Sequence, residues 1–235
     1  MKRLMIVFIF CFGFAKKSPN KISNHLFWKN SVGRILGFED RTYNVHNDGK
    51  LALYFSNYGL IGFYNPSLEY PVNSQRYYIW QLGLMIGAKI DTSDNDTYDP
   101  VPLVSDTYQD QGEANFNPVP GYFRLGLNPL VAISNIPETW PLSWPEGIQV
   151  GNSGWPGIDQ FENESIASQE SFWIMRDYEK KYFDTHNQTK TALGSLEIMC
   201  RGLQSNTTLT SRIIYFTYDV INKSDQTLMD CRIGL

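Results

Sequence analysis

The stretch Ser211–Asn222, reading Ser-Arg-Ile-Ile-Tyr-Phe-Thr-Tyr-Asp-Val-Ile-Asn, most constrains what this chain can fold into. β-Branched and aromatic residues fill it almost continuously, and such side chains suit a pleated, half-buried surface better than a helix. Lys223-Ser224-Asp225-Gln226 then reads as a polar turn, and a second strand is expected from Leu228 to Leu235. The rest of the chain has the same character. It carries 14% aromatic residues, 18 Gly and 12 Pro in 235 residues, with few long stretches of Ala, Leu, Glu or Lys. The expectation is an all-β protein, an antiparallel β-sandwich with long ordered loops and little helix.

Thr191–Leu203 and Thr208–Asn222 read as successive strands, and Lys50–Phe55 as a strand that meets a glycine bend at Asn57-Tyr58-Gly59. Tyr77–Ile90 is the clearest apolar element, and its Gly83 and Gly87 favour a sheet over a helix. Asp91–Gly157 is rich in Asp, Asn, Ser, Pro and Gly, which predicts an ordered excursion carrying short strands. Glu162–Phe183 has the best local helical character and is expected to hold a short helix or turn.

At the N-terminus, Lys2 and Arg3 precede an apolar run from Leu4 to Phe14 that closes on Ala15. This is the layout of a signal peptide, with cleavage expected after Ala15. The run is too short to cross a hydrocarbon core of about 30 Å, and no later segment is long and apolar enough to span a membrane. Residues 16–40 read as a polar leader and 41–235 as one β-rich domain. The chain stops just after the last strand begins, which reads as truncation of a longer polypeptide. A net charge of −4 without a cluster of Lys and Arg argues against nucleic acid and anionic membrane as partners. The expected location is the cell surface, the medium or the periplasm.

Several pieces, in order, carry a resemblance: Asn47-Asp48-Gly49-Lys50-Leu51-Ala52-Leu53 with Asn57-Tyr58-Gly59, Glu69-Tyr70-Pro71 with Leu84-Met85-Ile86-Gly87-Ala88, and Pro137-Glu138-Thr139-Trp140-Pro141 with Ser143-Trp144-Pro145. Ser168-Gln169-Glu170-Ser171-Phe172-Trp173-Ile174-Met175, Arg201-Gly202-Leu203-Gln204 and Tyr218-Asp219-Val220-Ile221-Asn222 complete it. Together they resemble a family of large uncharacterised exported bacterial proteins that end in a sorting domain for the cell surface. The final two strands, joined by Lys223 to Thr227, resemble immunoglobulin-like modules. The resemblance implies an exported, β-sandwich-containing surface protein and no catalytic residues.

Three groups of residues are candidates for chemistry. Asp91, Asp94, Asp96 and Asp99 are close enough in sequence to surround a calcium ion, which favours six to eight oxygens. They miss the EF-hand spacing, and a solvated acidic turn is the commoner explanation of such a run. Trp140, Trp144 and Trp155, set among prolines and glycines, could form a platform for sugar rings or could pack a long loop onto the sheet. After signal cleavage Cys200 and Cys231 remain, and export would allow a disulfide worth about 3 to 4 kcal/mol across their loop, or two free thiols.

Enzymatic signatures are sparse. Glu162, Glu164, Glu170, Asp177 and Glu179 form a pool for a glycosidase pair, although sequence picks none of them. His25, His46 and His186 fall in segments read as loops, and no Gly-x-Ser-x-Gly elbow accompanies them. The primary expectation is therefore an exported structural or binding region with no identifiable activity, for which a glycan or another surface protein is a candidate partner. The alternative is an extracellular carbohydrate-active hydrolase or glycan-binding module that uses the acidic and Trp-bearing loops.

Overall fold

The computed structural model describes residues 40–62, 67–91, 100–107, 115–124, 130–156, 166–177 and 193–235. Residues 1–39, which hold the expected signal peptide and nearly all of the leader, lie outside them. Fourteen strands and a single 3-10 turn, Pro137–Thr139, make up the regular structure of the described residues, and every strand pairing is antiparallel. The protein is thus all-β.

The first sheet forms from local hairpins. β1 (Tyr43–His46) pairs with β2 (Ala52–Ser56), and β2 turns back into β3 (Leu60–Ile61). At that turn Gly59 takes φ +91°, a conformation that favours glycine. Buried Asn57 holds the base of the hairpin: its Oδ1 accepts the Thr42 amide at 2.9 Å and its Nδ2 donates to the Asp40 carbonyl at 3.0 Å. β4 (Leu68–Glu69) adds to β2, and β5 (Leu82–Gly83) adds to β3.

The central sheet has the order β13-β12-β11-β8, formed by Ile214–Asn222, Leu196–Gln204, Gln169–Arg176 and Asn117–Pro118. β12 alternates between buried and half-buried positions along its length, as a strand with one core face should. β11 does not alternate. Seven of its eight residues are buried because both of its faces are covered, so Phe-Trp-Ile-Met reads as an unbroken apolar run. The helix or turn expected over Glu162–Phe183 is corrected here: residues 169–176 form a strand, since burial on two faces removed the period that marks strands. Residues 161–165 and 178–183 lie outside the described residues.

A third sheet contains β6 (Met85–Asp91), β7 (Pro100–Asp106) and β14 (Met229–Gly234), in the order β14-β6-β7. β9 (Phe123–Arg124) and β10 (Leu130–Val131) form a two-stranded ribbon. The polar turn after Asn222 is present, with Asn222 Oδ1 accepting the Ser224 amide at 3.1 Å. It does not close a hairpin, however. β14 leaves the central sheet and pairs with β6, setting Ile233 opposite Ile86.

One hydrophobic core joins these sheets. Leu51, Leu53 and Phe55 meet Ile86 and Ile90 of the third sheet and Trp173, Ile198 and Phe216 of the central sheet. Phe55 stacks on Trp173 with centroids 5.4 Å apart. A buried carboxylate ties the third sheet to the central one. Asp177 Oδ2 accepts the Ser105 hydroxyl and the Gly194 amide at 2.9 Å, while its Oδ1 accepts the Leu196 amide at 2.7 Å. Burial pushes the Asp177 carboxyl above its ordinary range, and these hydrogen bonds work against the shift. Asp177→Asn turns an amide donor toward at least one of these donors, so a loss of about 3 kcal/mol is expected in urea unfolding. A variant within about 0.5 kcal/mol of the parent would show that the carboxylate is not needed.

Candidate functional site

The three candidate tryptophans come together on the outer face of the central sheet. The segment that carries them, residues 137–156, begins with the 3-10 turn, where the Thr139 hydroxyl accepts the Ile133 amide at 2.9 Å. It then lays Trp140, Trp144 and Trp155 against one another, with centroids 5.4 Å apart for Trp140 and Trp155 and 5.6 Å for Trp144 and Trp155. Trp144 also meets Phe172 of β11 at 6.0 Å. A second core cluster of Val119, Tyr122, Ala132, Trp155, Phe172 and Ile174 lies beneath.

Each indole N–H is donated within the protein: Trp140 to the Ile133 carbonyl at 2.6 Å, Trp144 to the Gly154 carbonyl at 2.9 Å, and Trp155 to Glu170 Oε2 at 3.0 Å. Glu170, fully buried, also accepts the Ile166 amide at 2.7 Å and the Ala167 amide at 3.3 Å. Arg201 Nη1 stands 3.8 Å from the same carboxylate, donates to the Pro156 carbonyl at 2.7 Å, and places its guanidinium over the Phe172 ring at 4.5 Å. The indoles therefore turn their polar edges inward and fasten the loop to the sheet. Trp155 is buried, and Trp140 and Trp144 are half-buried.

Asp91 ends β6, and Asp94, Asp96 and Asp99 lie outside the described residues, as do Glu162, Glu164, Glu179, His25 and His186. Among the described residues no group of three His, Cys, Asp or Glu side chains could hold a metal ion. Of the two alternatives open for Cys200 and Cys231, the structure has two free thiols. Cys200 lies on the core face of β12, opposite Trp173 and Tyr218, whereas Cys231 is exposed on β14 in another sheet. Burial pushes the Cys200 thiol well above its ordinary value, which leaves it unreactive.

His46 is not in a loop, as its sequence neighbourhood suggested, but at the end of β1 and fully buried. Its Nε2 lies 2.9 Å from Ser171 Oγ, the spacing of a nucleophile and its base. Neither group is accessible, and burial pulls the imidazole down to about 3, against a smaller opposite influence from Gln169. The pair is a polar contact between β1 and β11 inside the core. Among the described residues, no helix is long and apolar enough to cross a membrane.

No protein-family model, curated protein or solved structure matches the chain. Its functional surface has to be read from its own geometry.

The feature that sequence reading missed is an exposed aromatic ridge. Tyr77, Tyr78 and Trp80 are 45%, 54% and 78% exposed, whereas most large hydrophobic residues of the strands are buried. Ile79 packs against the core between Tyr78 and Trp80, which are both exposed. Alternation alone could not say which face is wet, because Tyr, Ile and Trp all read as apolar.

Proposed function

We propose that the chain is an exported structural or binding region without catalytic activity of its own. Residues 1–15 direct its export, residues 16–40 are a polar leader, and residues 41–235 form a sandwich-like, immunoglobulin-related β domain of a secreted or surface-attached protein. The resemblance to large surface-sorted bacterial proteins points the same way.

One observation carries the non-catalytic reading. Three buried sets among the described residues that carry acid, base or nucleophile chemistry hold elements together instead: Ser171 with His46, Glu170 with Trp155 and two backbone amides, and Asp177 with Ser105 and two backbone amides. An enzyme would instead bring at least two such groups to an open concave site. On the outer face, Glu197 is paired with Lys223 at 2.8 Å.

The test is to express residues 1–235 in a Gram-negative host, fractionate the cells and weigh the product. The expected result is a periplasmic or secreted chain lacking residues 1–15 that releases no product from polysaccharide, peptide or ester substrates. A cytoplasmic chain of full mass would overturn the export reading. Substrate turnover that co-purifies with the chain would overturn the non-catalytic one.

A further inference from the structure

We propose that Tyr78 and Trp80, flanked by Tyr77, form a stacking platform for the pyranose rings of a glycan. This deepens the binding reading above and rests on it.

The ridge is built to hold its shape. The backbone runs through β4 into a turn at residues 71–75 and returns beside it, with the Tyr70 amide donating to the Arg76 carbonyl at 3.2 Å and the Tyr78 amide to the Leu68 carbonyl at 3.0 Å. Glu69, itself buried, accepts the Gln75 amide at 2.6 Å and so holds Gln75 at φ +57°, a conformation that a non-glycine residue adopts only when fixed by its surroundings. Ile79 anchors the strip to the core from beneath. Tyr78 and Trp80 lie on either side of this anchor in the chain, and both are exposed. The rings are presented on a fixed backbone, so little ordering cost remains to be met on binding.

The chemistry of the patch favours a sugar over a protein. At about 200 Å² per ring, the exposed fractions amount to about 350 Å², well short of the roughly 800 Å² per partner in a stable protein interface. The other exposed residues along the ridge are Pro71, Asn73, Gln75 and Arg76, three of them polar. Flat rings beside side-chain amides and a guanidinium match the two surfaces of a pyranose, its C–H face and its hydroxyl rim. The Trp140, Trp144 and Trp155 cluster has no comparable free edge, since its indole N–H groups are already donated inside the protein.

Affinity gel electrophoresis tests this with the full chain run through gels containing xylan, mannan, mixed-linkage β-glucan, alginate or polygalacturonate, the last two separating acidic from neutral glycans. Retardation by at least one polysaccharide is expected. Trp80→Ala and Tyr78→Ala should each weaken it about tenfold or more, while Leu209→Ala, at a residue 90% exposed elsewhere, leaves it unchanged. Circular dichroism checks that each variant is folded. Trp80 should also report binding directly, as a blue shift of tryptophan emission that Trp80→Phe removes.

No retardation in any gel overturns the platform. Retardation that survives Trp80→Ala also overturns it, yet leaves a binding region in place. Release of reducing ends from a retarding polysaccharide overturns the non-catalytic reading instead. Self-association lost in Trp80→Ala, with no glycan bound, would make the ridge a protein contact and reject the proposal.

Discussion

Acidification is expected to destabilise the fold by about 1.4 kcal/mol per pH unit below pH 6.5 through His46 alone. In the unfolded chain this imidazole takes up a proton as the pH falls through 6.5, whereas burial in the folded protein keeps it neutral down to about 3. Between those values the unfolded state binds more protons, so stability is fully present above pH 6.5 and falls as the pH drops through the window. Near pH 3 the accumulated loss approaches about 5 kcal/mol, a large part of the total for a domain of this size. Asp177 works in the opposite direction over its own lower range, because its folded value is raised and the folded state then gains a proton first. Urea midpoints measured from pH 7 to pH 4 check the claim, with His46→Leu as the comparison. Whatever its absolute stability, that variant should lose one proton's worth of slope, and equal slopes would falsify the assignment.

Gly202→Ala is expected to cost about 3 kcal/mol or more, and it acts on the same junction. Gly202 lies on β12 between Ser171 of β11 and Phe216 of β13, all on the core face. A Cβ there would stand 2.5 Å from Ser171 Oγ and 2.9 Å from Phe216 Cε1, and it would collide with His46 Nε2. The backbone at Gly202 is ordinary extended chain, so the demand for glycine is one of space alone. The neighbours have little freedom to move: Ser171 Oγ accepts the Gly202 amide at 3.1 Å while it contacts His46, and Phe216 packs edge-on to Trp173 at 6.4 Å. Relief of the clash breaks the buried hydrogen bond, which adds about 1 to 3 kcal/mol to an overpacking cost of about the same size. Ser171→Ala, which only removes the hydroxyl, should lose less. A Gly202→Ala midpoint within experimental error of the parent would mean that the two sheets can separate locally at no cost.

Sequence reading located most of the long strands because their evidence is local. Residues 214–222 are rich in β-branched and aromatic side chains, residues 196–204 set Leu196, Ile198 and Cys200 at alternate positions, and both are strands. It failed where two faces are covered. Gln169–Arg176 lost its period through double burial, and that burial comes from residues 137–156 on one side and the first sheet on the other. The candidate site shows the same limit. The clustering of Trp140, Trp144 and Trp155 was legible from their spacing, but the inward turn of their N–H groups depends on Ile133, Gly154 and Glu170.

By itself, then, the sequence determined the class of the fold, the places of several of its long strands and the turns that end two of them, since these follow from side-chain shape and from glycine within a few residues. Tertiary structure alone decided which strand edges meet, sending β14 to β6 across about 140 residues rather than back to β13. Backbone edges are chemically alike, and only the summed packing of distant side chains chooses between them. The same packing placed His46 in the dark and Trp80 in the light.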